Sequence, residues 1–280
     1  MTHSRLKLGT LTCALLFCSS LVADGSPWLP VPQTISLSVS QVVQEADQFY
    51  RGDTHANLPF GEFNQTTLWF SGKYGLNDKT AIDVQFGTSE VEAGPLGSSD
   101  GIHDATVGIT RSLLDELETG TFSVSLRVAG TLAGDYDTGQ PHSIGDGANS
   151  IASSINVGKY LTPNFGVAGE FGLRFSTNDV PSEWFLSAGA NFFVSPYVSA
   201  YAQYHLKMSN GDLDIGSTGF TPAGFPEVQE DYSRIQTGVS LQYQNLSWDV
   251  NVHKTLDGRN TADFDIVSMT FTLFVDLFRP

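Results

Sequence analysis

Val167-Ala168-Gly169-Glu170-Phe171-Gly172-Leu173-Arg174-Phe175 sets Val167, Phe171, Leu173 and Phe175 against Ala168, Glu170, Gly172 and Arg174. Trp184-Phe185-Leu186-Ser187-Ala188-Gly189-Ala190-Asn191-Phe192 repeats the scheme with the parity switched. Val198, Ala200, Ala202, Tyr204, Leu206 and Met208 then alternate with Ser199, Tyr201, Gln203, His205 and Lys207. Successive side chains of a strand point to opposite faces, so Ser150 to Asn210 reads as four strands with one oily and one wet face. A sandwich would hide the oily face against a second layer. An outer-membrane barrel turns it toward lipid and fills its inside with polar groups.

Working outward, the same rhythm runs along the whole chain. Strands are expected at Thr34 to Gln44, Gln65 to Tyr74, Thr80 to Thr88, Ala105 to Leu113, Thr121 to Leu132 and Ile151 to Leu161. The four-strand stretch continues this series. Ser233 to Gln244, Ser247 to Leu256 and Asp265 to Phe278 follow it, giving about twelve. Connections alternate in length. The short ones lie near Asn77, Glu118, Pro163, Pro196 and Asn245. The longer ones centre near Asp53, Gly97, Gln140, Val180, Gly219 and Arg259. An even count with tight turns at one end and long loops at the other is the pattern of an outer-membrane barrel, whereas the crossovers of a sandwich impose no such alternation. In the last strand Val267, Met269, Phe271, Leu273, Val275 and Leu277 form an unbroken apolar face. Such a closing strand normally ends on an aromatic residue; here Phe278 is followed by Arg279-Pro280 and has the opposite parity.

Met1 to Ala23 reads as a secretory signal peptide. Arg5 and Lys7 precede an apolar run around Leu11 to Phe17, and Ser20-Leu21-Val22-Ala23 supplies a small-residue exit. The run is too short for a membrane-spanning helix. Cys18 could suggest a lipid-attachment site, but the bulky Phe17 before it argues against this. Residues 24–33 are expected to be a periplasmic lead-in and 34–280 the barrel. Both cysteines, Cys13 and Cys18, fall in the leader, so the exported part holds no disulfide. The 280-residue chain carries a net charge of −16, which argues against nucleic acid or anionic lipid as partners.

Three segments resemble the outer-membrane porin and transporter family associated with meta-pathway phenol degradation. They are Tyr74-Gly75-Leu76-Asn77-Asp78-Lys79, Asp100-Gly101-Ile102-His103-Asp104-Ala105-Thr106-Val107-Gly108 and Gly130-Thr131-Leu132-Ala133-Gly134-Asp135-Tyr136. In the last, Leu132-Ala133 replaces the family's usual Pro-Thr. These motifs encode turns and strand ends. The resemblance implies a barrel in the outer membrane of a Gram-negative bacterium that passes small organic compounds.

With the apolar faces outward, the lumen should hold Lys73, Asp83, Arg127, Glu170, Arg174, His205, Lys207, Arg234, Asp249 and His253. Lining charge and diameter set what a pore passes, so these are the candidate pore-lining residues. The competing reading has Arg127, Glu170, Arg174 and Asp249 pair with one another and plug the interior, because buried charges need partners. Asp135, Asp137 and Asp146, or Asp212 with Asp214, do not match a calcium loop. His205 and His253 could serve an enzyme with Ser199 or Thr255, but there is no Gly-x-Ser-x-Gly elbow. No catalytic residue, cofactor or metal site is expected. Trp184, Tyr204, Tyr243, Trp248 and Tyr160 are expected in an aromatic girdle. The expected partners are outer-membrane lipid, a small-molecule solute and the barrel-assembly machinery during biogenesis. The function expected is passage of small, aromatic or hydrophobic, solutes across the outer membrane. The alternative is a non-transporting barrel with a structural or surface-interaction role.

Overall fold

The computed structural model describes residues 25–277. The leader assigned to Met1 to Ala23 and the terminal aromatic Phe278 lie outside the described residues. The strands are β1 (Thr34–Ala46), β2 (Gln48–Arg51), β3 (Thr54–Asn57), β4 (Phe63–Asn77), β5 (Thr80–Glu92), β6 (Ser98–Ile102), β7 (Ala105–Leu114) and β8 (Ser123–Leu132). They continue with β9 (Ser150–Thr162), β10 (Phe165–Ser176), β11 (Glu183–Ser195), β12 (Val198–Ser209), β13 (Asp231–Tyr243), β14 (Leu246–Arg259) and β15 (Asp265–Asp276). Twelve of them, β1, β4, β5 and β7 to β15, form a closed antiparallel barrel. Closure comes from β1, which pairs with β4 on one side and with β15 on the other, from Thr34↔Asp276 to Glu45↔Asp265. Among the described residues no helix is long and apolar enough to cross a membrane.

The pleat does what the alternation demands. In β15, Phe271 is 58% exposed while its neighbour Thr270 is 2% exposed. Val267 and Met269 share the outward face, and Ser268 and Thr272 share the buried one. A water-soluble fold with so many exposed large apolar residues would aggregate. In lipid this surface is the favoured one, and the closed ring leaves no strand edge unpaired in hydrocarbon. Inside, small polar residues pair across strands. Ser40 and Thr270 hydroxyls lie 2.7 Å apart, and those of Thr67 and Ser89 are also 2.7 Å apart.

The segments read as long polar loops carry structure of their own. Residues between β1 and β4 form the β2–β3 hairpin. β6 pairs with the upper part of β5, and β7 pairs with the lower part, so β5 has two partners in succession. The short link near Glu118 is one helical turn, α1 (Glu116–Thr119), in which Asp115 accepts from the Leu117 N–H at 2.8 Å. These are local devices without a long apolar period, so alternation alone does not reveal them.

Residues 25–33 run into the lumen at the short-turn end. The Gln33 N–H donates to the Gly75 carbonyl at 2.7 Å, and Gly75 has no room for a Cβ beside the Val31 carbonyl. Ser125 Oγ donates to the Ser26 carbonyl at 2.7 Å. The Gly25 N–H reaches Glu170, midway along β10, at 3.3 Å. Trp28 packs on Tyr160 with ring centroids 4.8 Å apart. The girdle expectation therefore fails for Tyr160. It shares the even, inward parity of Asn156 and Gly158 and packs against this luminal strap instead of lipid.

Candidate functional site

The long loops fold over the outer mouth and enclose a cavity of 480 Å³. Its wall is mostly apolar: Phe49, Phe60, Phe63, Ile144, Phe225 and Phe264 all face it. Volumes of this order hold small organic ligands. The loops are tied together rather than loose. Asn260 Oδ1 accepts from the Gly52 and Ile215 N–H groups at 2.9 and 3.0 Å. Its Nδ2 donates to Asp214 and to the Gln229 carbonyl, each at 2.8 Å. Arg259 grips Asp214 in bidentate fashion at 2.8 and 2.7 Å. These hydrogen bonds hold the Asp214 carboxyl below the usual carboxylate range, Arg259 first and Asn260 next. On the other side Tyr136 donates to Asp104 at 2.5 Å. Burial and that bond push its phenol well above the usual range.

A charged chain lies where cavity meets barrel. Arg174 Nη1 is 2.8 Å from Glu183, whose other oxygen is 3.8 Å from Lys207 Nζ. Lys207 also donates to Glu230 at 2.6 Å, and Thr261 donates to Glu230 at 2.8 Å. Burial, the largest single influence, would raise the Glu230 carboxyl, but Lys207, Thr261 and Arg234 together outweigh it, and the group stays below its ordinary value. Asp146 has no such cation of its own. It presents an exposed edge to the cavity yet is walled in by protein. Burial first, then the charge of Glu230, push it up to about 6.

Below lies the polar lumen, and here each expected residue has a definite place. Asp83 and Arg127 form a buried bidentate pair at 2.6 and 3.3 Å. Lys73 is half-buried and opposite Asp83 in the β4–β5 register. Glu170 meets the luminal strap. Asp249 accepts from Tyr201 at 3.0 Å and from Asn251 at 2.8 Å. His253 Nε2 and Asn251 Oδ1 are 2.8 Å apart, and His205 Nε2 and Gln236 Oε1 are 3.0 Å apart. The two imidazoles stack at 6.2 Å between centroids. Arg234 sits over the Tyr232 ring, with Cζ 3.8 Å from its centroid.

The mutual network of Arg127, Glu170, Arg174 and Asp249 does not form. Register separates them: Arg174 sits opposite Glu183, while Asp249 sits opposite Ser240 and Thr270. Ser199 is six residues along the strand from His205, about 20 Å at strand rise, so these two are not brought together. Glu183 and Glu230 were not among the expected residues. Glu183 shares the parity of Ser187 and could have been found from it. Glu230 precedes its strand, and no periodicity marks it.

Several solved structures are similar in fold. An outer membrane channel from Pseudomonas putida F1 superposes with a TM-score of 0.72 at 14% identity, covering 91% of this chain and 100% of that one. The NanC porin gives 0.52 at 8% identity, with coverages of 84% and 97%. The translocator domain of the autotransporter NalP from Neisseria meningitidis gives 0.50 at 10%, with 89% and 90%. At such identities these likenesses establish the fold, and one fold serves several roles. No curated protein matches the chain. The apolar outer face and closed ring place the barrel in the outer membrane of a Gram-negative cell. The profile of one family matches residues 43–271, nearly the whole barrel, and the chain belongs to that family, described as "Putative MetA-pathway of phenol degradation".

Proposed function

We propose that this barrel passes small apolar solutes, aromatic compounds among them, across the outer membrane. The observation that carries the reading is the 480 Å³ cavity at the long-loop mouth, walled by phenylalanines rather than by the polar surface a sugar porin needs. An apolar solute leaves water for this wall at a gain of roughly 25 cal/mol per Å² of surface buried. The lumen below has met many of its hydrogen-bonding needs internally, as in the Asp249–Asn251–His253 run. It therefore competes weakly for the solute, which moves down its gradient without chemistry on the protein. The channel and porin structures of similar fold support this non-enzymatic reading. The unbroken apolar face of β15 supports delivery by the barrel-assembly machinery.

The test is uptake into proteoliposomes. Toluene-sized aromatics should enter vesicles holding the protein faster than protein-free vesicles, and glucose should not. Glucose uptake matching a general porin, or no uptake of either class, would refute the proposal. The second result would favour a barrel closed by its strap and ion pairs.

A further inference from the structure

Building on the transport reading, we infer that the solute class includes apolar carboxylates, and that Arg234 is the residue that takes the carboxylate. The inference starts from how the luminal cations are spent. Arg127 is bound to Asp83, Arg174 to Glu183, and Lys207 lies between Glu230 and Glu183. Arg234 is paired with no carboxylate among the described residues, and its Nε is buried without a hydrogen-bond partner there. A buried, unmet donor on a cation is costly unless something arrives to accept from it.

Placement makes the visitor's path short. Arg234 Cζ is 5.5 Å from the ring centroid of Phe264, and Phe264 is itself part of the cavity wall. The guanidinium sits over the Tyr232 ring, with Cζ 3.8 Å from the centroid, a contact that restrains where it can go. His205 stands directly opposite Arg234 in the β12–β13 register, and Thr255 on its other side in β14. The carboxylate that Arg234 influences among the loops, Glu230, already has Lys207 and Thr261 at hydrogen-bond distance. A planar, restrained fork beneath an apolar cavity suits a solute with a flat carboxylate at one end and a hydrocarbon body at the other. An ammonium-bearing solute would be repelled, and a neutral carbonyl could accept one hydrogen bond but would leave the charge of the fork unpaired.

Benzoate and benzamide share a shape and differ in charge, so they make the probe pair. Calorimetric titration of the detergent-solubilised protein should show benzoate bound at least tenfold more tightly than benzamide. Arg234→Gln should bring benzoate down to the benzamide level and leave benzamide unchanged. Arg234→Lys keeps the charge but loses the fork, and should retain a reduced preference. Equal binding of the two probes by the native protein would overturn the inference while leaving the transport reading intact. So would an undiminished benzoate preference in either variant. Failure of both probes to bind would overturn the inference together with the reading beneath it.

Discussion

Arg127 and Asp83 are both nearly inaccessible to solvent, at 8% and 6% side-chain exposure. Gly108 gives them their space, since a Cβ there would stand 2.6 Å from Arg127 Nη2 and from an Asp83 oxygen. Removing one partner of such a pair strands the other charge. Arg127→Met should therefore cost about 3–5 kcal/mol of stability in urea unfolding from vesicles. Adding Asp83→Leu should recover most of it, because two apolar residues strand nothing. A single variant as stable as the native protein would contradict this account. Asp146 predicts a pH effect with a definite sign. Its folded pKa, about 6, lies above its unfolded value of 3.8. Between the two the folded chain holds the extra proton, so ionisation works against folding, and the penalty shrinks as pH falls below 6 and is gone below 3.8. Its charged neighbours are Glu230, Lys207, Asp104 and Glu183. Hydrogen exchange in residues 139–147, corrected for intrinsic rate, should slow from pH 7 to pH 5. Asp146→Asn should abolish that slowing, and an equal slope in the variant would remove Asp146 as its cause.

At the scale of elements, the luminal strap decides how much of the barrel's cross-section is open. It is held by ring contact and fit more than by charge: Trp28 packs against Tyr160 and, with Pro27, lies over Gly158, where a Cβ would come within 2.8 Å of the indole. Trp28→Ala removes the largest side chain from that seat. Single-channel conductance should rise severalfold, since a wider lumen passes more ions. Unchanged conductance would mean that the strap does not set the constriction. No strand pattern announces this element. Residues 25–33 contain three prolines and no alternation, so the sequence offers nothing by which to seat them inside the ring. The hairpin β2–β3 and strand β6 were equally silent. They are only 4 and 5 residues long and sit in polar segments, where a two-residue period cannot be told from chance.

For the molecule as a whole, the wall was legible and the filling was not. Alternation in stretches such as Val267 to Val275 reports which side of the pleat a residue takes, and that depends on sequence parity alone. The strand count, the split into short and long connections and the inward side of Asp83, Arg127 and His205 all follow from it. Partner choice depends on register and on loops, which parity does not contain. Arg174 found Glu183, and Lys207 found Glu230, a loop glutamate one position before β13 that belongs to no visible repeat. The closure of β15 on β1 carries one more consequence. Those twelve residue pairs join segments more than two hundred residues apart, so they are the last contacts the growing sheet can make. Until then the sheet has two raw edges in or beside the lipid, each a row of hungry amides. The strap lies just ahead of β1, inside the circle that this final seam completes. Assembly is thus a matter of timing: a chain that zips shut early must post its own strap through the open end, and one that zips shut late can lay it in place first.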